Sequence, residues 1–164
     1  MHQGNQLFDS PPSAPVEVPS PNATELPRIL IEDNSNLTSV ILTSVVEATA
    51  VVIRNNAELT EIDFPSLQNL AVDIVSSITE NPLLTLVSMP SLTTGFISIT
   101  KNKQLQSVDF PSWQSGTRFA VARNGPLDDV AATSFVEAAL VEDSELVSIQ
   151  NNSEITSFSL RRRF

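Results

Sequence analysis

One phrase organises most of this chain: Asn-x-x-Leu-x-x-h-x-h-Pro-Ser-Leu, with h apolar, returns about every 22 residues from Ile29 onward. Three copies are nearly complete, NAELTEIDFPSL from Asn56, NPLLTLVSMPSL from Asn81 and NKQLQSVDFPSW from Asn102. Two flanking copies have drifted, NSNLTSVILTSV from Asn34 and NGPLDDVAATSF from Asn124. A unit this short cannot bury its own apolar side, so the copies must stack on one another, and a stack of such units is a solenoid that presents long flat faces.

The columns of the stack can be read from the spacing. Anchor leucines stand at Leu37, Leu59, Leu84, Leu105 and Leu127, with Leu146 as a looser sixth. Three residues beyond them come Val40, Ile62, Val87, Val108, Val130 and Ile149, and five beyond come Leu42, Phe64, Met89, Phe110 and Ala132. An interval of two is the period of a strand, so the residue between them, Ile41, Asp63, Ser88, Asp109 or Ala131, faces outward. A second strand precedes each Asn, with inward pairs Ile29 and Ile31, Val51 and Ile53, Ser76 and Ile78, Ile97 and Ile99, Phe119 and Val121, and Ala138 and Leu140. Leu67, Leu92, Trp113 and Phe135 form a third apolar column. Pro65, Pro90 and Pro111 set the turn that leaves the strand, with Ser66, Ser91 and Ser112 bonding the local backbone there. The expected fold is all-β, a parallel β-solenoid of about five turns whose equivalent strands pair about 4.8 Å apart. Local propensity permits a helix over DDVAATSFVEAAL from Asp128, but that stretch keeps the repeat columns and is read as a repeat.

The Asn column of Asn34, Asn56, Asn81, Asn102 and Asn124, continued by Asp143, falls where the chain must bend between strands. An amide both donates and accepts, so these side chains are expected to satisfy turn backbone and to bond to one another up the stack. Residues 1–28 differ: they hold six of the eleven prolines among Ser, Glu and Asn, and are expected to form a disordered linker or stalk ahead of a solenoid domain over 29–164. The last unit runs into Arg161, Arg162, Arg163 and Phe164 without a polar cap, which reads as a piece of a longer product.

The repeated phrase, with its intervening apolar-x-apolar strand, resembles the receptor L-domain family, especially its fungal cell-surface and cell-wall relatives, which are often GPI-anchored. The resemblance covers about residues 29–135 and is strongest from Asn56 to Trp113. It implies a right-handed β-helix related to leucine-rich repeats, in extracellular proteins that bind ligands or organise the wall, and it brings no catalytic residues. Sequons at Asn22, Asn36 and Asn151 fit a secreted glycoprotein.

Composition narrows the chemistry. Cysteine is absent and His2 is the single histidine, so disulfide frameworks, thiol or serine triads and histidine metal sites are not expected. The four glycines form no phosphate loop, and no cofactor or metal is expected. A net charge of −10 argues against nucleic acid. No stretch reaches the roughly 20 apolar residues that cross a bilayer, and the start lacks a secretory signal. Asp63 and Asp109 share an outward column two turns apart, about 10 Å by strand spacing, which is near the carboxylate separation of some glycosidases, about 6.5 to 9.5 Å. A repeat produces such ladders without chemistry, and the solvated-face explanation is preferred.

The functional expectation is therefore a non-catalytic surface module that binds a protein or cell-wall glycan. Its binding face would be the strand after the anchor, carrying Thr60, Glu61, Asp63, Thr85, Leu86, Ser88, Gln106, Ser107 and Asp109. The face with Leu30, Val52, Ser77, Ser98, Ala120 and Ala139 is flatter and less charged. An intracellular protein-interaction scaffold and, behind it, a carbohydrate-active enzyme are the alternatives. Open sheet edges at the solenoid ends invite homo-association.

Overall fold

The computed structural model describes residues 27–113, 115–125, 129–132, 147–150, 152 and 157–160. All regular structure among them is strand. Two parallel sheets run along the solenoid axis. The first is ordered β1 (Arg28–Glu32), β4 (Ala50–Arg54), β7 (Ser76–Thr79), β9 (Thr94–Thr100), β11 (Ser115–Ala122) and β13 (Val147–Gln150). The second is ordered β2 (Ser39–Ile41), β5 (Glu61–Asp63), β8 (Leu86–Ser88), β10 (Ser107–Asp109), β12 (Asp129–Ala132) and β14 (Ser157–Leu160). Short strands β3 (Glu47–Ala48) and β6 (Asn69–Leu70) pair with each other and then with the start of β9, which adds a third side to the first sheet. The chain is thus an all-β solenoid of stacked parallel coils, about four turns in extent.

Register follows the repeat. Val40, Ile62, Val87 and Val108 align in the second sheet, and all four are buried. Ile31 pairs with Ile53, Ile53 with Ile78 and Ile78 with Ile99 in the first sheet, so identical columns become apolar layers. The two-residue period decides this outcome, because a slip by one would turn every buried Val and Ile into solvent. Leu67, Leu92 and Trp113 are buried as the third column, with the Trp113 ring stacked against Phe110 at a centroid distance of 6.1 Å. Phe135 lies outside the described residues.

Several details depart from expectation. The last coil is shifted: Val147–Gln150 pairs with β11 (Phe119 opposite Val147, Val121 opposite Ile149), so Ile149 belongs to the strand before the turn and not to the one after an anchor at Leu146. Asn152, and not Asp143, then takes the ladder position, accepting a bond from Asn124 N–H at 2.9 Å. Asn152-Ser-Glu-Ile-Thr-Ser-Phe-Ser-Leu160 obeys the repeat phrase, but it comes 28 residues after Asn124, beyond the usual interval. Ala138, Leu140, Asp143, Leu146 and Leu127 lie outside the described residues. Ser91 Oγ donates to the Pro65 carbonyl of the preceding turn at 2.7 Å, so its bond is between coils and not local. The first strand starts at Arg28, one residue before the expected domain start, and residues 1–26 are not described.

In the described turns that follow β1, β4, β7, β9 and β11 the chain uses a left-handed residue. Asp33, Asn55, Glu80, Lys101 and Arg123 have φ between 56° and 59°, each directly before a ladder Asn. None is β-branched, and none is glycine, so the column is invisible to a search for glycine turns. A left-handed residue with a Cβ costs about 1–2 kcal/mol, and the paired amides that follow must hold it. A second constraint is Gly95, at φ 153°, where an added Cβ would lie 2.6 Å from Leu70 Cβ. There β9 bends from the third side into the first sheet against the backbone of the previous coil.

Two outcomes follow for stability. Asn81→Ala should lower the unfolding free energy by about 3 kcal/mol, since it strands buried donors and acceptors in two neighbouring coils, whereas Asn34→Ala, with partners on one axial side, should cost about 1 kcal/mol; urea melts compare the two. Gly95→Ala should cost about 1–3 kcal/mol through overpacking against Leu70, read as a fall in thermal midpoint.

Candidate binding face

The outward surface of the second sheet is built from two register columns. Ser39, Glu61, Leu86, Ser107 and Asp129 form one, and Ile41, Asp63, Ser88, Asp109 and Ala131 the other. In β2, β5, β8 and β10 the middle residue is buried and both flanking residues are half-buried, so the strand alternation that fills the core also sets these side chains out in rows. Of the residues expected to make the face, Glu61, Asp63, Leu86, Ser88, Ser107 and Asp109 come together on it. Neighbouring rows are one strand spacing apart, about 4.8 Å.

Thr60, Thr85 and Gln106 lie at its entry edge and have a different part. Thr60 Oγ1 donates to the Thr38 carbonyl at 2.9 Å, and Thr85 Oγ1 donates to the Thr60 carbonyl at 3.0 Å. Both hydroxyl protons are therefore used between coils, and these oxygens can only accept from a ligand. The Thr side chains rivet the edge of the face in place.

Charge is separated across the solenoid. Glu61, Asp63 and Asp109 stand on the second sheet, whose strands contain no Lys or Arg, and Asp129 continues the first column by register. Among the described residues the basic side chains belong to the first sheet or the turns after it: Arg28, Arg54, Lys101, Lys103, Arg118 and Arg123. Two of them are paired there, Arg54 Nε with Glu32 Oε1 at 2.6 Å and Lys101 Nζ with Glu80 Oε1 at 2.7 Å. The Glu80 carboxyl is held below its ordinary range, first by the hydrogen bond from Lys101 and then by that residue's charge. No three Asp, Glu or His side chains gather as a cation site among the described residues.

The outward rows of the first sheet are flatter. Leu30 is exposed on the first sheet, but the rows behind it are Val52, Ser77, Ser98 and Ala120, half-buried and mostly small. Exposed apolar side chains collect elsewhere, at Val46 and in the corner loop with Val72, Ile74 and Val75. The sequence signal for that loop was the interval of 25 between Leu59 and Leu84, where the coil is longer than its neighbours. The five Asn side chains of the expected structural ladder are placed as expected. Asn56, Asn81, Asn102 and Asn124 are buried and Asn34 is half-buried, all bonded to one another along the axis. Of the sequons, Asn36 is exposed in the turn after Asn34, whereas Asn22 and Asn151 lie outside the described residues.

Comparison of the chain with protein-family profiles, curated proteins and solved structures gave no match.

Because the Glu80 pKa is lowered in the folded state, its ion pair stabilises the fold above the ordinary glutamate range and that stability is lost as pH falls through the lowered value. Carboxyl carbon NMR titration should place the Glu80 midpoint below those of unpaired glutamates, and Lys101→Gln should return it upward.

Proposed function

We propose that this chain is a non-catalytic binding module of an extracellular surface or wall protein, which engages a protein or a wall glycan through the outward face of β2, β5, β8 and β10. The observation that carries the reading is the pair of register columns, Glu61 with Leu86 and Ser107, and Asp63 with Ser88 and Asp109. They hold carboxylates, hydroxyls and one apolar side chain at fixed strand spacing on a close-packed core. Preorganisation of that kind reduces the ordering cost of binding, and repetition gives a ligand several equivalent contacts.

The resemblance of the repeat to the receptor L-domain family supports the extracellular setting and a relation to its anchored cell-surface members. The exposed Asn36 sequon agrees with a glycoprotein. The absence of lysine and arginine from the strands of the face favours partners that bring cations or hydroxyl donors: a basic protein patch, or a polysaccharide whose hydroxyls bond to carboxylates.

Binding of the whole chain to isolated wall polysaccharides and to immobilised basic proteins, in low and high salt, tests this. Asp63→Lys with Asp109→Lys, at half-buried outward positions, should weaken binding about tenfold or more in protein that circular dichroism shows to keep the strand signature. Sensitivity to salt would identify a basic protein partner, and insensitivity a glycan. Full binding by the double variant, with loss in Val52→Lys and Ser98→Lys instead, would move the site to the first sheet and refute the assignment.

A further inference from the structure

The Asn ladder has a direction. Each interior Asn donates from its backbone N–H and from Nδ2 to the Oδ1 of the Asn in the following coil, as Asn56 does to Asn81 at 3.1 and 3.0 Å. Its own Oδ1 receives the same pair from the coil before. Its Nδ2 also reaches back to a carbonyl of the preceding coil: Ile31 for Asn56, Ile53 for Asn81, Ile78 for Asn102, Ile99 for Asn124 and Val121 for Asn152. In every case that carbonyl lies three residues before the previous ladder position.

The first rung has half of this set. Asn34 donates forward to Asn56 Oδ1 from N at 3.1 Å and from Nδ2 at 2.9 Å, and its Nδ2 also donates to the Glu32 carbonyl of its own coil at 3.0 Å, as Asn81 Nδ2 does to Thr79. Among the described residues no donor reaches its Oδ1, and no strand lies on the outer side of β1 or β2. At the other end, Asn152 closes the series, β13 and β14 have no further strand among the described residues, and no described acceptor meets the Asn152 backbone N–H. One end of the stack presents an acceptor and the other a donor, each flanked by two strands running the same way.

We infer that the chain associates head to tail with a second copy of itself, with β13 and β14 of one molecule pairing in parallel with β1 and β2 of the next. In that joint Asn152 N–H and Nδ2 donate to Asn34 Oδ1, and the Asn34 Nδ2 hydrogen now on Glu32 is shared with the Ile149 carbonyl, three residues before Asn152, as Asn81 Nδ2 shares its own between Thr79 and Ile53. A second copy is the occupant that fits because the site requires two parallel strands around an Asn turn in the register of the repeat, and the last rung of this chain supplies all three. Joining two first rungs instead would set Oδ1 against Oδ1 and reverse the strand direction, so self-complementary pairing is disfavoured. The contact is heterologous, and addition of a copy leaves a fresh end of each kind.

Sedimentation velocity of the whole 164-residue chain, from low micromolar to near-millimolar concentration, tests the inference without any variant. The expected result is a weight-average mass that rises past the dimer without a plateau. Asn34→Ala removes the acceptor end, and Asn152→Asp keeps the acceptor for Asn124 but sets a carboxylate against Asn34 of the next copy. Each variant, once shown by circular dichroism to keep the strand signature, should associate tenfold or more weakly by itself. An equimolar mixture should regain one joint and stop at the heterodimer. A wild-type chain that stays monomeric, or that stops at a dimer, overturns the proposal, as does undiminished association of Asn34→Ala alone.

Discussion

The solenoid depends on how a buried amide can serve two coils at once. At the bend between the two main sheets the backbone leaves the ladder of one strand before it has joined the next, and its N–H and C=O groups would be left without partners inside the stack. A buried, unpaired backbone group costs about 1–3 kcal/mol, a penalty that would recur in every coil. Asparagine removes it because one side chain donates from Nδ2 forward and backward along the axis and accepts at Oδ1 from its predecessor. The column Asn34, Asn56, Asn81, Asn102, Asn124 and Asn152 is therefore both the hydrogen-bond supply of the turn and the joint between coils. Leucine at these positions would pack well but would leave the turn unpaired.

The left-handed column is a consequence of the same device. To direct the Asn side chain inward immediately after an extended strand, the chain must reverse its pleat within one residue, and a positive φ does this. The sites tolerate Asp, Asn, Glu, Lys and Arg because those side chains project to solvent, where some pair across coils, as Asn55 Nδ2 does with Asp33 Oδ1 at 3.0 Å. Unbranched polar residues suit a strained and exposed position, and the local cost is offset by the bonds of the following amide.

From this scaffold the candidate face follows without further folding. The apolar middle residue of β2, β5, β8 and β10 fixes each strand to the core, so its two neighbours stand outward in rows set by the register. Among the described residues the basic side chains fall on the first sheet and its turns, which leaves β5 and β10 of the second sheet acidic. A repeat converts a single outward position into a column, and the character of that column depends on a few substitutions, such as Leu86 between Glu61 and Ser107.

The sequence alone determined the strands of the two main sheets from Ile29 to Phe110, their inward and outward sides and the five-member Asn column, because a period of two inside a period near 22 admits few arrangements, but not β3, β6 or the start of β9. It determined as well which residues would share the acidic face. Three matters were decided only by tertiary structure. The last coil was misplaced because spacing to the next Asn had grown to 28 residues, and neither Leu146 nor Asp143 reveals its register until β13 pairs with β11. The threonine hydroxyls looked available to a ligand, and their use on the preceding coil depends on carbonyls 22 and 25 residues away. The left-handed turn residues carry no common side chain, since their conformation is imposed by the Asn that follows and by the coil stacked upon it.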